Sequence, residues 1–154
     1  MNGDLLETVN WAWGLALVAL TMAIHATGVV LLGLLNSSIR LRMVNRRIGQ
    51  RHVLPIVIGL VAAAGLLLAV LHGIEAAIWA AAYVWLGAID SPLDAILYSV
   101  DSMSTRGASG LMLQTHWRMM GAIETVDGML LFGISTASIF ALLRSYWPML
   151  YRRH

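Results

Sequence analysis

Of the eight acidic residues in this 154-residue chain, four have neighbours with which they could do chemistry. The stretch "HGIE" sets His72 and Glu75 three apart, on one face of a helix. An imidazole and a carboxylate so placed can hydrogen-bond to a neighbouring helix, titrate as a proton sensor, or offer two ligands to a metal. The structural hydrogen bond is the expected role, and no metal or cofactor is assigned. His25 is read as a packed polar residue. A haem held by His25 and His72 is the chemistry of a membrane cytochrome. Counted from the cytoplasmic helix ends, however, the two histidines differ in depth by ~15 Å, which does not suit one iron.

The second cluster lies in "THWRMMGAIETVDGMLLFGISTASIF". At ~100° per residue, Glu124, Asp127, Gly128, Leu131, Ser135 and Ser138 share an arc of ~100°. A polar stripe on a spanning helix faces protein or water rather than lipid. Asp127, Leu131, Ser135 and Ser138 are therefore candidate linings of a water-filled path, with Gly128 as a hinge. Repeated around an axis, Asp127 would make an acidic ring, which favours cations. The competing placement packs Glu124 and Asp127 within the protein, paired with Arg118 or Arg106. The third cluster is "DSMSTRGASGLM", residues 101–112, which sets Asp101 and Arg106 among small polar residues and glycines.

Other chemistries are excluded or unsupported. The chain has no cysteine, so disulfides, thiolate metal sites and thiol catalysis are absent. No nucleophile–base pair or phosphate loop is present, and enzymatic activity is not expected. All ten basic residues are arginine, and they follow membrane topology, so a nucleic-acid partner is not expected.

The elements that must position these residues are membrane helices. Hydrophobic residues make up 59% of the chain and the mean hydropathy is +0.77, which is membrane-protein composition. Residues 9–35 form an apolar run longer than the ~20 residues a crossing needs, with Trp11 and Trp13 as interfacial anchors. The run follows Asp4 and Glu7 and lacks a cleavage site, so a removed signal peptide is not expected. Arg40, Arg42, Arg46, Arg47 and Arg51 then mark a basic loop as cytoplasmic and the N-terminus as external. Residues 53–89 form a second span, too long for one simple crossing. It is expected as a tilted helix with a possible break at Gly73 or Gly87, and with Tyr83 and Trp85 near the outer interface. Ser91, Pro92 and Asp94 give an N-cap, a first-position proline and a first-turn acid, opening a helix over 92–103 too short to span. A third span covers about 117–145 and ends at Arg144, Arg152, Arg153 and His154. Irregular backbone at membrane depth needs protein or water around it, and one chain of this size cannot enclose the 101–112 segment. An oligomer around a shared axis is expected.

The order of outer helix, short helix, polar loop and inner helix resembles the pore module of tetrameric potassium channels. More specifically, "WRMMGAIETVDGMLLFGISTASIF" from Trp117 to Phe140 resembles the inner helix of small bacterial ion-channel-like proteins, W-R-x-x-G-x-x-E-x-x-N-G-x-L-L-F-G-W-S-T-A-F-L-F. Their upstream H-x-x-E matches His72 and Glu75. The resemblance implies an all-α membrane protein of three transmembrane helices, with a pore helix at 92–103 and a re-entrant loop between the second and third. It divides the chain into residues 1–52, an extra helix with its basic loop, and 53–154, the pore module. It places the family's filter, T-T-V-G-Y-G-D, on Ser104, Thr105, Arg106, Gly107, Ala108, Ser109 and Gly110. That filter is degraded, because arginine, alanine, serine and glycine replace valine, tyrosine, the second glycine and aspartate. The resemblance further implies a side chain at Arg106 turned behind the loop, toward Asp101, where the pair would brace it. An Arg106 ring facing the axis would instead make an anion pore. The expected function is passive ion conduction with non-classical selectivity and a weak lean to cations. A non-conducting scaffold or sensor that keeps the channel fold is the alternative. The expected setting is a homotetramer in the bacterial inner membrane, contacting lipids and inorganic ions, with the C-terminus cytoplasmic.

Overall fold

The computed structural model describes residues 2–46, 49–107 and 110–151, the side chains of 2–9 and 50 excepted. The described residues form four α-helices: α1 (Asn2–Asn45), α2 (Gln50–Trp85), α3 (Pro92–Met103) and α4 (Arg118–Leu150), the last entered through a single 3-10 turn at Thr115–Trp117. The segments Asn10–Asn45, Arg51–Trp85 and Thr115–Leu150 are each long and apolar enough to cross a membrane. Only 17, 22 and 28% of their most apolar stretches is buried, so much of this apolar surface is left for lipid or for other protein. The basic flank residues Arg47, Arg152, Arg153 and His154 lie outside the described residues.

α1 runs some ten residues past the expected end of the first span, through the segment read as a loop. No glycine or proline occurs there before Gly49. The Ser37 and Ser38 hydroxyls donate back to the Leu34 carbonyl at 2.8 and 3.0 Å, which accommodates two serines inside a helix. α2 is continuous through Gly73 and stops at Gly87, whose φ is +66°. Gly87 N–H donates to the Val84 carbonyl at 3.1 Å and Ala88 N–H to the Tyr83 carbonyl at 2.9 Å. That is a Schellman ending, which needs a left-handed residue at the turn. α3 begins as its sequence predicts, with Ser91 Oγ accepting from Asp94 N–H at 3.3 Å and Pro92 in the first position.

The chain forms two compact units, and each takes a part of every long helix: Met1–His25 with His72–Phe132, and Ala26–Leu71 with Gly133–His154. The core of the first unit is aromatic: Trp79, Tyr83, Tyr98 and Trp117 pack with Leu17, Ala95 and Met120. Trp13 and Trp85 meet edge to face at 5.2 Å, which puts the start of α1 and the end of α2 together. The second unit packs Met43, Val53, Val57, Ala64, Leu142 and Tyr146. There Tyr146 Oη donates to Asn36 Oδ1 at 2.7 Å, and Asn36 Nδ2 donates to Ser145 Oγ at 3.3 Å.

Candidate functional site

The first unit holds every sequence-predicted site residue except Ser135 and Ser138. Its geometry starts from a glycine. A Cβ added at Gly128 would lie 2.5 Å from both the Cα and the carbonyl oxygen of Met103. The backbone at the end of α3 therefore rests directly on α4, in a space that only a missing side chain provides. Gly121 does similar work for the other end of this contact: its Cβ would collide with Tyr98 Oη, so the tyrosine ring lies over bare α4 backbone. Gly128, read as a hinge, lies within continuous helix in α4 and is a packing contact with α3.

The 104–110 loop begins as a helix cap. Thr105 has φ +60°, its N–H donates to the Ser102 carbonyl at 3.1 Å, and Arg106 N–H donates to the Asp101 carbonyl at 3.0 Å. This is a second Schellman ending, here with a β-branched residue in the left-handed position that glycine usually fills. Ser104 Oγ adds a bond to the Asp101 carbonyl at 3.2 Å. Ser104, Thr105 and Arg106, three of the residues expected to open a filter, thus terminate α3. Gly107 and Gly110 have φ +82° and +83°, while Ala108 and Ser109 lie outside the described residues. Ser104, Thr105, Arg106, Gly107 and Gly110 are all exposed.

Arg106 Nη1 lies 3.3 Å from Asp101 Oδ1, so the two residues are brought together. Burial is one-sided, however: the side chains are 73% and 11% exposed. The arginine is not enclosed within the chain, so the strength of a desolvated pair does not apply to it here.

The acidic residues of α4 face inward: for Asp127 this replaces the expected place on a water-filled path, and for Glu124 it is the packed placement the sequence suggested. Asp127 is fully buried. Its Oδ2 accepts from Thr21 Oγ1 of α1 at 2.7 Å and from Trp79 Nε1 of α2 at 3.0 Å. Glu124 is fully buried too, and its Oε2 accepts from Tyr83 Oη at 2.8 Å. Tyr83 is accordingly a core residue rather than an interfacial anchor. The packed placement gave them Arg118 or Arg106 as partners; those observed are neutral donors on α1 and α2. Leu131 is buried as well. In the second unit Ser135 is 6% exposed, and Ser138 lines a cleft of about 180 Å³ with Asn36 and Leu142. These four positions share one helical arc as the periodicity predicts, but the arc faces α1 and α2 where its partners are seen.

The histidines are closer than counting predicts. His25 Nδ1 is 2.8 Å from Glu75 Oε1, His72 Nδ1 is 3.3 Å from Glu75 Oε2, and the two rings are 5.1 Å apart. The depth difference expected between them does not exist, because α1 ends at Asn45 rather than near residue 35. His25 and Glu75 are fully buried, and the His72 side chain is 29% exposed. The expected bond between neighbouring helices is present, and its partner is His25. Thr21, Trp79 and Tyr83 are polar contacts that the sequence reading missed. Thr21 and Trp79 stand four residues before His25 and after Glu75, so a search for donors at i±4 from those residues would have found them.

No family model, no curated protein and no solved structure matches the chain.

Proposed function

We propose that this chain assembles with further copies of itself into a channel-like membrane protein in which residues 104–110 line a polar path. The observation that carries the reading is the contact of the Met103 backbone with Gly128. Gly128 lies ten residues into α4, ~15 Å along its axis. A helix that reaches this level and a chain that returns to Thr115 support the reading of a re-entrant segment. In one chain the loop is exposed, and irregular backbone inside a bilayer requires protein or water around it. Neighbouring copies, four by the resemblance to potassium channels, supply that surrounding. The arginines at positions 40, 42, 46 and 51 give the cytoplasmic flank, which orients the N-terminus outward in a bacterial inner membrane.

Conduction is passive and not classically potassium-selective. The lean to cations rests on the carboxylate of Asp101 and the negative end of the α3 dipole, both directed toward the loop. Arg106 opposes them. A non-conducting scaffold or sensor is the second reading. It is favoured by the inward burial of Asp127, which removes the acidic ring, and by the capping role of Ser104–Arg106. The test is ion flux from liposomes carrying the purified full-length chain, with potassium, sodium and chloride gradients set in turn. Flux of monovalent cations supports the channel. Chloride flux assigns the loop to an Arg106-ring anion pore. Absence of flux from liposomes shown to contain the oligomer assigns the chain to the scaffold reading.

A further inference from the structure

We propose that His25, His72 and Glu75 bind a divalent first-row transition-metal ion that clamps α1 to α2. The donor atoms of the three side chains lie within 4.8 Å of one another. Two of the ligands come from one turn of α2 and the third from α1. An ion ~2.0–2.2 Å from nitrogen and oxygen ligands sets those ligands ~3–3.5 Å apart. The His25–Glu75 and His72–Glu75 separations of 2.8 and 3.3 Å already approach that spacing.

A second observation points the same way. Glu75 Oε2, in a carboxylate with no solvent exposure, has the 3.3 Å approach of His72 Nδ1 but accepts no hydrogen bond of good geometry among the described residues. An unsatisfied carboxylate oxygen in a low-dielectric setting is costly, and a cation resolves it. The ligand set selects the ion. Two imidazoles and one carboxylate suit zinc, iron, cobalt or manganese and leave positions open for water, whereas calcium and magnesium take all-oxygen sets. The competing arrangement is metal-free, with both imidazoles hydrogen-bonding to the carboxylate. The inference is independent of conduction, since none of the three residues belongs to the loop.

The experiment uses the full-length chain without a histidine tag, in nanodiscs, stripped with chelator and titrated with zinc or cobalt(II). One ion per chain is expected. X-ray absorption of the zinc-loaded protein should report two imidazoles in the coordination shell. This measurement needs no variant and so is not confused by misfolding. Glu75→Gln and His25→Gln should each weaken binding by more than the 10- to 100-fold typical of residues that only support ligands. His116→Gln should leave binding unchanged. No saturable binding, a shell with fewer than two imidazoles, or full affinity in Glu75→Gln would each overturn the site in favour of the metal-free pair.

Discussion

Replacing Gly128 by alanine adds one methyl group between α3 and α4. Its carbon would sit 2.5 Å from Met103 Cα, 2.5 Å from Met103 O and 2.9 Å from Met103 C. Carbon atoms pack at ~3.5–4.0 Å, so the two backbones must separate by ~1 Å. All three atoms are main chain, and no rotamer change can remove them. Overpacking of this kind costs ~1–3 kcal/mol, and a rigid backbone places Gly128→Ala at the upper end. Alanine returns ~1 kcal/mol through its better helix propensity. The net loss is ~2 kcal/mol, roughly a 30-fold rise in the unfolded fraction at 1.4 kcal/mol per tenfold. Gly65→Ala is the reference, because a Cβ there meets nothing within 4 Å. Thermal unfolding in nanodiscs, followed by tryptophan fluorescence, should show a lower Tm for Gly128→Ala and no loss for Gly65→Ala. A Gly128→Ala protein as stable as the parent would refute the close approach of α3 to α4, and with it the re-entrant path.

Three other substitutions follow from the same geometry. Thr105→Gly removes a β-branched residue from φ +60° and should stabilise the protein by ~1 kcal/mol, the lower end of the strain such a residue stores; a fall in Tm would contradict the Schellman ending of α3. Asp127→Asn keeps an acceptor for Thr21 and Trp79, so Tm should hold, while Asp127→Ala loses ~2 kcal/mol by orphaning the Trp79 Nε1 donor, Thr21 Oγ1 keeping the Leu17 carbonyl at 2.9 Å. Altered ion selectivity in a stable Asp127→Asn protein would return that residue to the ion path. A double-mutant cycle with Asp101→Asn and Arg106→Gln should give a coupling below ~1 kcal/mol, as for exposed pairs; ~3 kcal/mol would mean that the oligomer buries Arg106.

How legible these features were in the sequence depended on whether their signals were local. α3 could be read to the residue because Ser91, Pro92 and Asp94 are local start signals that no distant contact overrides. The second span reads to residue 89 with a break at Gly73 or Gly87, and of these two glycines only Gly87 adopts a positive φ and ends α2. The end of α1 was not legible, since Ser37 and Ser38 resemble loop residues until their hydroxyls turn back on the helix. That one error moved the expected depth of His25 and hid the His25–Glu75 contact. Periodicity correctly grouped Asp127 and Leu131 on one arc. It could not say whether the arc faces water or protein, because that depends on Trp79 and Thr21, 48 and 106 residues away in sequence. Gly128 reads equally as hinge or packing contact until the neighbouring backbone is placed.

The central claim is that residues 104–110 lie in an ion path formed by several copies of the chain. Arg106→Cys is well suited to test it, because the chain contains no other cysteine and the side chain is exposed. Single-channel currents of this variant should be recorded in a planar bilayer under a salt gradient, before and after a charged, membrane-impermeant thiol reagent is added. The account predicts currents whose amplitude and reversal potential shift when charge is attached at residue 106. Currents that persist unchanged after complete labelling would place the path elsewhere, and no current from an intact oligomer would contradict conduction itself.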